Sequence, residues 1–126
     1  MCIEEYGDFI TELEFNDLPA EVAQKAKCTL LDFLAAALAG FHKGHIGHIV
    51  LDFARRKRGI RENTVIGSGD GLACDDAALA NDVFAHCVEL DNGYRYGTLH
   101  PPVSLVPAAP TVGERLRVRG EELLSA

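Results

Sequence analysis

From Leu30 to Ala39 the chain reads LLDFLAAALA, apolar at every position except Asp32. A helix that is apolar on one stripe lies on a surface, whereas one that is apolar nearly all round must be enclosed by neighbours. Upstream, Val22, Ala26, Leu30, Phe33, Leu34, Ala37 and Leu38 recur at steps of three and four. Asp17-Leu18-Pro19 reads as a start signal, a polar cap followed by a proline in the first turn, where a missing N–H is harmless. Gly40 reads as the stop. The expectation is therefore a central helix over Pro19–Ala39, about 30 Å long at ~1.5 Å per residue. Its purely apolar part, Phe33 to Ala39, is far shorter than the roughly 20 residues of a membrane span.

The other segments repeat the helical period. Ile3, Tyr6, Ile10 and Leu13 define an amphipathic helix to about Phe15, with an acidic first turn. Ile46, Ile49, Val50, Phe53 and Ala54 define a face of a helix over His45–Arg58. Ala73, Ala77, Ala80, Phe84 and Cys87 form a stripe of mostly small residues over Leu72–Glu89, which would let another helix approach closely. Val103 to Arg117 is read as a further helix whose first turn begins near Val106, since Pro107 and Pro110 are tolerated only there. Gly120 to Ala126 opens one more. Asn63 to Gly67 is the one convincing strand, closed by a turn at Ser68-Gly69-Asp70-Gly71. The fold class expected is mainly α with one short β segment.

Composition narrows the function. The chain has 126 residues, with 19 Asp plus Glu against 12 Lys plus Arg, a net charge of -7. A nucleic-acid partner is not expected of such a surface. Neither a signal peptide nor a membrane span is read from the N-terminus, where Glu4, Glu5 and Asp8 stand in place of a basic and then apolar run. Cys2, Cys28, Cys74 and Cys87 show no C-x-x-C spacing. They read as reduced thiols filling the core of a cytoplasmic protein.

Three constellations bear chemistry. Arg55, Arg56, Lys57 and Arg58 crowd a helix C-terminus, either as an anion-binding patch or as a solvated end that suits the helix dipole. His42, His45 and His48 are three residues apart, but Gly44 and Gly47 interleave them and no carboxylate or cysteine completes a ligand set, so no metal is expected. His86, Glu89, Asp91 and His100 are the candidate site. His86 and Glu89, at i and i+3, would share a helical face, with Asp91 just beyond. A carboxylate beside an imidazole can fix its tautomer and help it move a proton near neutral pH. The alternative is a core or cap histidine at position 86 and an exposed loop histidine at 100. Neither a nucleophile elbow nor a dinucleotide fingerprint occurs, so no cofactor is expected.

The run ALANDVFAHCVELDN over residues 78–92, followed by Leu99-His100-Pro101 and Val106-Pro107-Ala108-Ala109, resembles the MmgE/PrpD family. So do Asp32 to Gly40 and Thr64-Val65-Ile66-Gly67. That family includes 2-methylcitrate dehydratase, cis-aconitate decarboxylase and iminodisuccinate epimerase. The resemblance implies a large all-helical domain with a smaller lid domain, usually in a homodimer. It implies proton transfer beside a carboxylate of a small di- or tricarboxylate, without metal or organic cofactor. Glu89 resembles the acidic residue opening the family motif, Asp91 its first following aspartate, and His100 the loop histidine that donates or accepts a proton. Asp82, Asn92 and Pro102 stand where the family pattern has Gly, Asp and Gly. Residues 1–126 correspond to the front of the helical domain, the lid and C-terminal helices lying beyond them. The expectation is thus a partial domain of a lyase, incomplete for catalysis alone, acting as a homo-oligomer or with a C-terminal partner chain. The alternative is a non-catalytic helical interaction or assembly module.

Overall fold

Two helices cross so closely that one of them carries a glycine at the crossing. The computed structural model describes residues 2–57, 59–90, 92–100, 102 and 105–125. In it α1 (Ile3–Glu12) leads through a 3-10 turn (Phe15–Asp17) to α2 (Ala20–Lys43), α3 (Ile46–Arg56), a hairpin of β1 (Asn63–Thr64) and β2 (Gly71–Leu72), α4 (Cys74–His86), α5 (Ala108–Leu116) and α6 (Gly120–Ser125). The protein is mainly α, as its periodicity predicts. The two strands pair antiparallel, Asn63 opposite Leu72 and Thr64 opposite Gly71.

The long helix exceeds its expected limits at the C-terminal end. Gly40 does not stop α2, which continues to Lys43, where the Gly44 N–H donates to the Gly40 carbonyl at 2.6 Å. The reason lies in packing. A Cβ at Gly40 would stand 1.8 Å from the carbonyl oxygen of Phe84, so glycine here serves the crossing of α2 and α4. At the other end Pro19 occupies the N-cap position, and Asp17 instead accepts the Glu14 N–H within the 3-10 turn.

The small-residue stripe of α4 does what its spacing suggests. Ala77, Ala80 and Phe84 are fully enclosed, and with Phe33, Ala36 and Ala37 of α2 they form the centre of the core. Phe84 also reaches α3, where a Cβ at Gly47 would lie 2.2 Å from its ring. That contact turns α3. It buries Gly47, Leu51 and Ala54, leaving Ile46, Ile49 and Phe53 of the expected face in solvent. Both triplets have helical spacing, but only the one with a glycine lets an aromatic ring approach the backbone.

The hairpin is locked to its neighbours by polar side chains. Asn81, buried on α4, accepts the Ile66 N–H at 2.8 Å and donates to the Thr64 carbonyl at 3.0 Å. Asn63, also buried, donates its side-chain amide to the Thr111 carbonyl on α5. Glu114 accepts both the Thr64 N–H, at 2.8 Å, and the Thr64 hydroxyl. Burial raises the Glu114 pKa, but these hydrogen bonds outweigh it and leave the group below its usual value. The cysteines are free thiols, but Cys2 and Cys28 are exposed rather than core fillers, because Cys2 precedes α1, which buries none of its residues, and Cys28 lies on an uncovered face of α2. Among the described residues no helix is long and apolar enough to cross a membrane.

Candidate functional site

α4 ends at His86. The chain then turns, with the Glu89 N–H donating to the His86 carbonyl at 3.0 Å and Glu89 in the left-handed region at φ 52. His86 and Glu89 therefore do not share a helical face: the helix stops before a third residue can be added. Glu89 is instead an exposed residue of the turn capping the His86 end. The i, i+3 spacing predicts a shared face only within a continuous helix, and here α4 ends at His86 and Glu89 is left-handed.

The segment after the turn doubles back. The Tyr94 N–H donates to the Leu99 carbonyl at 2.7 Å, and the Gly97 N–H to the Tyr94 carbonyl at 3.2 Å. This small loop, with Thr98 at φ 51, returns the chain to α4. His100 consequently meets His86 edge to face, ring centroids 5.8 Å apart. Gly93 borders the same ring, since a Cβ there would be 3.4 Å from Cε1 of His100. Tyr94 and Tyr96 pack on each other across the loop at 5.8 Å. Asp91 lies outside the described residues.

The corner thus holds two imidazoles, one half-buried and one exposed, with an exposed carboxylate on the turn between them. Paired imidazoles can hand a proton to or take one from a bound molecule at near-neutral pH. The corner opens to solvent. An apolar groove of about 890 Å³ lies elsewhere, between α2, α5 and α6, lined by Val22, Leu30, Val112 and Leu123 among others.

The other constellations resolve into structure. His48 places Nε2 2.7 Å from the Phe41 carbonyl, with its ring against Phe41 and Phe84. Among the described residues no group of three or more His, Cys, Asp or Glu could hold a metal ion. In the basic turn, Arg55 pairs with Asp52 at 3.0 Å and Asp70 at 2.5 Å, and Lys57 with Asp76 at 2.5 Å. Arg55, with help from Ser68, holds Asp70 below its usual range. Asn81 is the residue whose role sequence reasoning missed. The available signal was an amide, a poor helix former, beside an otherwise apolar stripe.

The chain is mainly helical, with a short hairpin clamped to α4 and a histidine pair at the end of that helix. The pattern of the MmgE/PrpD N-terminal domain matches residues 4–126. The chain belongs to the MmgE/PrpD family. It is similar to the cis-aconitate decarboxylase-like protein oryM of Aspergillus oryzae, 34% identical over 107 residues. The match covers 82% of this chain and 21% of that relative, so the chain spans about a fifth of the relative's length. No solved structure matches at a significant level.

Proposed function

We propose that this chain carries one side of the reaction site of a dehydratase- or decarboxylase-type lyase. The substrate is a small di- or tricarboxylate, and the step is proton transfer beside a carboxylate without a cofactor. The observation carrying the reading is the contact of His86 with His100, in a chain whose relative is described as cis-aconitate decarboxylase-like. His100, exposed at the rim, gives or takes the proton. His86, held at the end of α4, fixes its ring edge-on. Glu89, and Asp91 by its position in the sequence, supply negative charge that steadies an imidazolium. A substrate with two or three carboxylates also needs cations to hold it. In this reading they come from family sequence beyond these residues, so the 126 residues do not turn over substrate alone.

The test compares this chain alone with this chain joined to the rest of a family domain, each incubated with cis-aconitate and with 2-methylcitrate. Turnover only in the joined form, lost in His100→Ala, is the expected result. Turnover by the 126 residues alone would overturn the incomplete-site reading, and turnover indifferent to His100→Ala would remove His100 from the chemistry. A second reading, a non-catalytic assembly module, draws support from the apolar stripes of α1 and α3, which are exposed among the described residues. Absence of turnover from both forms would favour it.

A further inference from the structure

α4 and the histidine corner lie in a stretch almost empty of positive charge. Of the chain's 12 Lys and Arg, Arg95 alone falls between Arg61 and Arg115. It sits in the turn of the loop that returns His100 to α4, directly after Tyr94, whose N–H and carbonyl both pair with Leu99. Arg95 is exposed, and among the described residues it has no ion-pair partner. Arg55, Lys57, Arg115 and Arg119, by contrast, each face a carboxylate. Glu89, the described carboxylate nearest to Arg95 in sequence, does not engage it.

The two sides of this loop differ. Residues directly opposite in an antiparallel pair point to the same side, and neighbours along a strand point to opposite sides. Tyr94 and Leu99 share one side: a Cβ at Gly97 would meet both side chains, at 2.9 and 2.8 Å, and the Tyr96 ring packs on Tyr94 at 5.8 Å. Gly93 and His100 share the other, where a Cβ at Gly93 would lie 3.4 Å from the His100 ring. Arg95, next to Tyr94, alternates onto the side of His100. In this register it is the diagonal neighbour of His100, about 7–8 Å away by strand geometry and within reach of a long side chain. From this we infer that Arg95 holds a carboxylate of the substrate while His100 moves the proton at a neighbouring carbon. The assignment rests on the proton-transfer site proposed for His100, and it adds one cation from within the chain to those that sequence beyond it supplies. A guanidinium presents two parallel N–H donors that match the two oxygens of a carboxylate, so the pairing sets orientation as well as charge. The carboxylate held is not the reacting group. The contact is therefore as strong before the step as during it, and its loss shows in binding rather than in turnover number.

The experiment uses this chain joined to the rest of a family domain, with cis-aconitate as the probe. Calorimetry gives Kd, and initial rates give KM and kcat. Arg95→Gln should raise Kd and KM together by about 10–100-fold, the loss of a charge-assisted pair, with kcat nearly unchanged. Arg95→Lys, which keeps the charge but not the paired donors, should recover part of the affinity. Converting one carboxylate of the probe to a neutral amide should cost the parent a similar factor at one position, and cost Arg95→Gln nothing further there. A merely structural role would not single out one carboxylate. If Arg95→Gln binds as the parent does while His100→Ala still abolishes turnover, the inference is overturned and the lyase reading stands. A loss that is the same for the acid and for every amide also overturns it. Binding that depends on Arg95, without turnover, upholds the inference and removes the reaction. No saturable binding by the parent overturns both.

Discussion

His86 and His100 meet edge to face at 5.8 Å although a turn and a closed loop separate them in sequence. The contact exists because α4 stops at His86 and the pairing of Tyr94 with Leu99 brings the chain back. One device ends the helix and another aims the loop, and neither imidazole alone would define a site.

The crossing of α2 and α4 allows a direct test of the core. Gly40→Ala drives a methyl group against the Phe84 carbonyl, a backbone atom that cannot rotate away. Overpacking costs about 1–3 kcal/mol, and this contact belongs at the upper end. A thermal melt should fall by roughly 10 °C for a chain of this size. An unchanged melt would mean that the helices do not cross here.

Asn81→Ala should cost about 2–4 kcal/mol in urea unfolding, because it strands the Ile66 N–H and the Thr64 carbonyl together. Asn81→Asp keeps the acceptor but loses the donor at neutral pH. Its deficit should shrink as the introduced carboxyl protonates, since the acid form can donate to Thr64.

Glu114 supplies a pH signature. Its folded pKa lies below the usual 4.5, so its contribution is complete above that value and is lost as pH falls through the folded one. Glu114→Gln should therefore be less stable than the parent at pH 7, with the difference closing as the medium is acidified below about 4. Paired melts across that range would show it. A constant difference would mean that the charge on Glu114 contributes nothing.

Arg117 caps α5 in the left-handed region at φ 56. Glycine takes that conformation without the strain of a side chain. Arg117→Gly should raise stability by about 0.5–1 kcal/mol in urea unfolding.

Much of this architecture is written in periodicity. The α4 stripe is legible because Ala77, Ala80 and Phe84 are apolar at one spacing and no competing stripe exists. α3 offers two stripes, and the choice between them is made by Phe84, a residue on another helix. Gly40 reads as a stop because glycine ends helices more often than it admits a neighbour, and only the partner helix distinguishes the two uses. The same holds at the candidate site. His86 and His100 stand out as residue types, but their contact depends on a left-handed Glu89 and a loop whose closure leaves no period to read.

The central claim is that the two imidazoles at the end of α4 form a carboxylate-facing corner. The most direct measurement is a titration with cis-aconitate of this chain joined to the rest of a family domain, following by NMR the imidazole resonances of the five histidines in residues 1–126. The account predicts that His86 and His100 shift together and saturate, that His42, His45 and His48 stay in place, and that His100→Ala abolishes the shift at His86. Shifts confined to the other three histidines, or none at His86 and His100 at any concentration, would contradict it.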